Sequence, residues 1–180
     1  MANGCCIGMM RGCTNLSTVP DKLPAMEMKS KCYTSMFYGC KSLTKAPELP
    51  ATTLFEFCYS TMFRDCTSLT IAPKLSVTTL ANSCYKSMFY GCTSLTTAPE
   101  LPATTLATSC YEEMFYSCKK INYIKTNFTS WLDGATSNWL YNVASTGTFI
   151  CPSTLDVDAT QSGASYIPKG WTVVHQSSNV

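Results

Sequence analysis

A chain of 180 residues has room for one ordinary domain, which excludes a large multidomain enzyme. Hydrophobic residues at 46% against 13% charged argue for a folded, globular chain, and a formal charge of +2 provides no basic footprint for nucleic acid. One histidine, His175, leaves little scope for imidazole catalysis or a His-rich metal site.

The first residues, Met1 to Gly12, lack the basic and continuously apolar stretches of a secretory signal, so no signal peptide is expected. No run approaches the roughly 18 apolar residues of a membrane helix, so no transmembrane segment is expected either.

From Cys5 onward the chain repeats itself. Cys32, Cys58, Cys84 and Cys110 lie 26 residues apart, and each opens the pattern Cys-Tyr-x-x-Met-Phe-x-x-Cys, which closes at Cys40, Cys66, Cys92 and Cys118. A degenerate first copy runs from Cys5 to Cys13 and is stretched by one residue. Such a period marks a unit too small to bury its own apolar face, so that copies must stack.

Within a copy, Leu54, Cys58, Met62 and Cys66 recur every four residues. At 100° per residue, Cys58, Met62, Cys66, Tyr59 and Phe63 fall at about 0°, 40°, 80°, 100° and 140°, one apolar face of a short helix. Thr53 with Glu56 reads as a capping box at its start, and Gly39 and Gly91 as left-handed C-caps at its end. The following Leu43-Thr-Lys-Ala46-Pro47-Glu-Leu49 reads as a short extended segment, with Pro47, Pro73 and Pro99 interrupting strand pairing at one stacked level.

The inward set is then Cys32, Met36, Phe37, Cys40 and Leu43; Cys58, Met62, Phe63, Cys66 and Leu69; Cys84, Met88, Phe89, Cys92 and Leu95; and Cys110, Met114, Phe115 and Cys118. Eight helical residues span about 12 Å, beyond the roughly 4.4–6.8 Å between Cα atoms that a disulfide tolerates. The twelve cysteines are therefore read mainly as small buried hydrophobes. Disulfides between copies and a metal site are lesser readings, since zinc favours closer cysteine pairs. No cofactor is expected. Cys6 and Cys151 fall outside the columns and read as the more reactive thiols.

All three tryptophans lie beyond the last copy, so residues 1–118 are read as the repeat array and 119–180 as a C-terminal α+β capping region. Trp139 and Trp171 are its anchors, with Leu140 and Val143 on one helical face beside Trp139, and Thr148–Cys151 and Trp171–Val174 as strands. Sugar stacking is the alternative role for the tryptophans. Asp156 and Asp158 alternate in a loop or edge where a cation could bind, and His175 reads as a solvated tail residue.

The string Cys84-Tyr-Lys-Ser-Met-Phe-Tyr-Gly-Cys-Thr-Ser-Leu-Thr-Thr-Ala-Pro-Glu-Leu-Pro-Ala-Thr-Thr-Leu106 resembles the 26-residue variant of the BspA-like leucine-rich repeat, over about residues 5–124. The resemblance implies an α/β repeat fold, a leucine-rich-repeat solenoid of about five units. It also implies a non-enzymatic role in attachment, at the bacterial cell surface, extracellularly or on a phage virion.

Within a stable scaffold, the positions that vary are those to display. Beside the prolines these are Lys45/Glu48, Ile71/Lys74 and Thr97/Glu100, one strip suited to a protein or glycan ligand. The alternative is a structural subunit whose uncovered first copy docks onto another chain, that edge requiring either a partner chain or upstream repeats. Thiol-rich metal buffering ranks third.

Overall fold

The computed structural model describes residues 2–24, 27–157 and 165–176. Among them there is no α-helix. The leucine-rich-repeat solenoid of short helices and extended segments is therefore not what this chain builds, and its closing region has no helix beside its strands. What replaces each helix is a ladder of turns, and the reason lies in where the backbone donors go.

An α-helix sends every N–H to the carbonyl four residues back. Here the donors divide. The N–H groups of Cys58, Ser60, Met62, Arg64 and Cys66 donate three residues back, to the carbonyls of Phe55, Phe57, Tyr59, Thr61 and Phe63, at 3.1–3.2 Å. The intervening N–H groups of Phe57, Tyr59, Thr61, Phe63 and Asp65 instead donate to the next copy, to Asn82, Cys84, Lys86, Met88 and Tyr90, at 2.7–3.2 Å. Half of the backbone is thus satisfied locally and half by the neighbour, so the motif exists only in a stack.

Each ladder resets every four residues by placing one in the left-handed region. Phe57, Thr61 and Asp65 have φ of 56°, 53° and 58°, and Ser83, Ser87 and Gly91 repeat this with 53°, 52° and 72°. Gly39 and Gly91 are left-handed as expected, but as the third such residue of a ladder rather than as helix caps. The two residues after each left-handed residue point inward, so Cys58-Tyr59 and Met62-Phe63 are buried while Thr61, Arg64 and Asp65 are only partly covered.

Non-glycine residues at positive φ carry a strain of about 1–2 kcal/mol. Ser83 and Ser109, whose hydroxyls make no hydrogen bond among the described residues, are the sites to relieve it. After the loss of about 0.4–1 kcal/mol to unfolded-state entropy, Ser83→Gly and Ser109→Gly should each stabilise the chain by about 0.5–1 kcal/mol. In a helix the same changes would destabilise, so the sign of the shift in urea midpoint decides between the two backbones.

Stacking aligns like with like. The rings of Tyr33, Tyr59, Tyr85 and Tyr111 lie 5.9–6.1 Å apart, and those of Phe37, Phe63, Phe89 and Phe115 lie 5.6–5.7 Å apart, all near parallel. The predicted inward residues are 0–6% exposed. Burying one such aromatic contributes about 1.5–3 kcal/mol.

The ladder also runs across the change in composition at 118. The N–H groups of Tyr111, Glu113, Phe115 and Ser117 donate to Ala135, Ser137, Trp139 and Tyr141 at 2.8–2.9 Å. Residues 134–143 thus form a further ladder, with Gly134, Asn138 and Asn142 left-handed and Trp139 stacked 6.3 Å from Tyr111. Beside it run β1 (Tyr123–Lys125), β2 (Gly147–Pro152) and β3 (Trp171–Gln176), a parallel sheet in the order β1-β2-β3. Tyr123 pairs with Thr148, and Thr148 with Thr172, so the strands keep nearly the repeat spacing. Among the described residues, no helix is long and apolar enough to cross a membrane.

Candidate functional site: a groove where the extended segments part

On the side opposite the ladders, each copy runs through Leu-x-x-Ala/Pro-rich extended chain. Proline fixes φ, and the residue before it is driven toward extended conformations. In the third copy this puts Ile71, Lys74 and Ser76 outward and Pro73, Leu75 and Val77 inward.

Neighbouring segments meet by single parallel bridges, Lys22 with Glu48, Lys45 with Ile71, and Leu101 with Thr126. Ile71 spends both backbone groups on the second copy, accepting from Ala46 at 3.0 Å and donating to Thr44 at 3.3 Å. Leu101 spends both on the other side, donating to Lys125 and accepting from Asn127, each at 3.0 Å. Between the third and fourth copies no backbone hydrogen bond remains on this side among the described residues. Residues 72–79 make none to any described residue.

The parting leaves a groove of about 760 Å³. One wall carries Ile71, Pro73 and Lys74, the other Thr97, Pro99 and Glu100, with Pro102 at the end. Ile71 is 56% exposed. Glu100 is held by Lys125 at 3.2 Å, whereas Lys74 makes no ion pair among the described residues.

Comparison with family models, curated proteins and solved structures finds no match to this chain.

Of the six strip positions, four line the groove. Lys45 sits in a cleft of about 260 Å³, 3.3 Å from Asp21. Glu48 lines another of about 300 Å³ with Lys22 and Lys74, so Lys74 borders two openings. Sequence reasoning missed the parting itself. Its one visible trace is Ser76-Val77, which stands where the neighbouring copies have Pro50-Ala51 and Pro102-Ala103.

The ladder face carries a second column that sequence reasoning missed. Arg64 lies 3.8 Å from the centre of the Tyr90 ring, and Tyr90, Tyr116 and Tyr141 stack at 4.5–4.6 Å. The rings cover one another's faces, so this column presents edges and hydroxyls rather than a platform for sugar stacking.

The column cysteines of the second to fifth copies are 0% exposed, and no disulfide forms among the described residues. Each closing thiol has a partner: Cys66, Cys92 and Cys118 donate S–H to the carbonyls of Phe37, Phe63 and Phe89 at 3.0–3.1 Å. Burial pushes the Cys58 and Cys66 thiols up to about 12. Among the described residues, no three His, Cys, Asp or Glu side chains cluster as a metal site would require.

Cys151 contradicts its reading as a reactive thiol, because β2 places it at 0% exposure and burial raises its pKa. Cys6 is half-buried, and Cys5 and Cys13 are the exposed thiols that spacing did not single out. His175 lies exposed on β3, its Nδ1 3.8 Å from Cys151 Sγ. Trp139 and Trp171 are 0% and 8% exposed, and their indole N–H groups donate to the carbonyls of Tyr166 and Ala144 at 2.7 and 2.8 Å. Asp156 is exposed, while Asp158 lies outside the described residues.

Proposed function

We propose that this chain is a non-enzymatic binding module that holds a protein or glycan ligand in the groove between its third and fourth extended segments. The observation that carries the reading is the parting at residues 72–79. There, backbone groups without internal partners, an exposed isoleucine and an unpaired lysine face one concave space. A groove of this kind, apolar with a few fixed polar groups, suits recognition, and an edge of unused backbone suits an extended polypeptide. The resemblance of the Cys84–Leu106 string to BspA-like surface proteins supports attachment at a bacterial surface or on a phage particle.

The test is binding of peptide and glycan arrays by the chain and by the double variant Ile71→Asp, Lys74→Glu. Both side chains are exposed, so the melting temperature should not move. Affinity for the ligands retained by the unaltered chain should fall about tenfold or more, near 1.4 kcal/mol. Undiminished binding would remove the groove from the account.

A further inference from the structure

Every ladder bond between copies has the same polarity: the earlier copy donates and the later one accepts. The N–H groups of Gly4, Cys6, Gly8, Met10 and Gly12 donate to Ser30, Cys32, Thr34, Met36 and Tyr38 at 2.7–2.9 Å, and the same sense holds down to Ser117 donating to Tyr141 at 2.8 Å. A β-strand edge differs, because each outward-facing residue there offers both a donor and an acceptor. The two ends of this stack are therefore chemically distinct, one made of carbonyls and the other of N–H groups.

The carbonyl end is the first copy. The carbonyls of Ile7, Met9 and Arg11 are the counterparts of the accepting Thr34, Met36 and Tyr38, and among the described residues they accept nothing. The side chains around them belong to core columns. Met9 is 56% exposed where Met62, Met88 and Met114 are 0%, and Cys13 is exposed where Cys66, Cys92 and Cys118 are 0%. Ile7 adds a further apolar side chain, 52% exposed. The opposite end is covered over its core: Trp139 and Leu140 are 0% and 2% exposed, and the N–H of Asn138 donates to Ser165 Oγ at 3.0 Å.

We propose that the first-copy edge docks the N–H edge of another turn ladder of the same unit. Hydrogen-bond polarity selects this occupant. A second copy of this chain meeting edge to edge would set carbonyl against carbonyl, and one meeting head to tail would present an end whose core is already covered. A β-strand would bring its own carbonyls into the row. An open ladder of the same unit offers donors at the matching two-residue spacing, together with a Met, Phe and Cys layer to cover Met9 and Cys13. The inference stands apart from the groove, which lies between later copies.

The test uses the 180-residue chain and a synthetic peptide of residues 80–105, whose donors are those of Ser83, Tyr85, Ser87, Phe89 and Gly91. Alkylation of Cys13, read by mass spectrometry, should slow about tenfold or more at saturating peptide, with a 1:1 complex in native mass spectra. The same peptide N-methylated at Tyr85, Ser87 and Phe89 should give no protection, and neither should a Met9→Asp chain with the unaltered peptide. The chain alone should sediment as a monomer. No protection at millimolar peptide, equal protection by the methylated peptide, or a dimer of the chain alone with Cys13 shielded would each overturn the proposal.

Discussion

Replacing Phe89 by alanine is expected to cost about 3–5 kcal/mol, among the largest penalties of any single truncation in the chain. Phe89 is 0% exposed and lies between Phe63 and Phe115, 5.7 Å from each ring. Its removal opens a cavity that the tightly spaced copies cannot close, and it deletes two ring contacts, each adding about 0.5–1.5 kcal/mol beyond burial. Phe37 occupies the same slot but, among the described residues, stacks on one ring, Phe63 at 5.6 Å. Phe37→Ala should therefore cost about 1 kcal/mol less. Urea unfolding of the two variants measures the difference, and equal penalties would contradict a stack in which each copy is held only by its neighbours.

The same columns show which features were legible in the sequence and which were not. Which side chains face inward was readable from Cys58-Tyr59 and Met62-Phe63, because a pair repeated every four residues defines a face under almost any backbone. The backbone itself was not. Over the nine residues from Cys58 to Cys66, a period of 3.6 drifts by only about 80° from a period of four, too little to separate them. The decisive residues stood in the degenerate copy: Gly4, Gly8 and Gly12 occupy the three left-handed slots, where a helix would have lost about 1 kcal/mol at each. The capping box at Thr53 and Glu56 misled because it is a local signal, and here half of the donors answer to the next copy.

The strip proposed for binding was legible as a face but not as a groove. Lys45, Glu48, Ile71, Lys74, Thr97 and Glu100 do lie along the extended segments, but what gathers four of them is the absence of bonds between residues 72–79 and the fourth copy. That absence depends on Ile71 and Leu101 each turning its backbone toward the far neighbour, which no single segment specifies. Cys151 was misjudged for the same reason, since its burial follows from β2 pairing on both sides.

Alkaline pH should unfold the chain, and the buried thiols set the sign. In the unfolded chain a thiol ionises near 9, whereas burial lifts Cys58 and Cys66 to about 12 in the fold. The folded state then holds protons that the unfolded state has released, so the stabilisation is complete below pH 9 and is lost as pH rises from 9 toward 12. Each site removes about 1 kcal/mol between pH 9 and 10 and about 1.3 kcal/mol in the next unit. Cys84 and Cys92 shift in the same direction, again through burial. Against a total of about 5–15 kcal/mol, a few such sites suffice for cooperative unfolding near pH 11. Urea midpoints at pH 8, 9 and 10 under reductant should fall with a slope that the double variant Cys58→Ala, Cys66→Ala lowers by about 2 kcal/mol over the last unit. A stability independent of pH across that range would mean that the thiols face water, and the stacked interior would have to be abandoned with them.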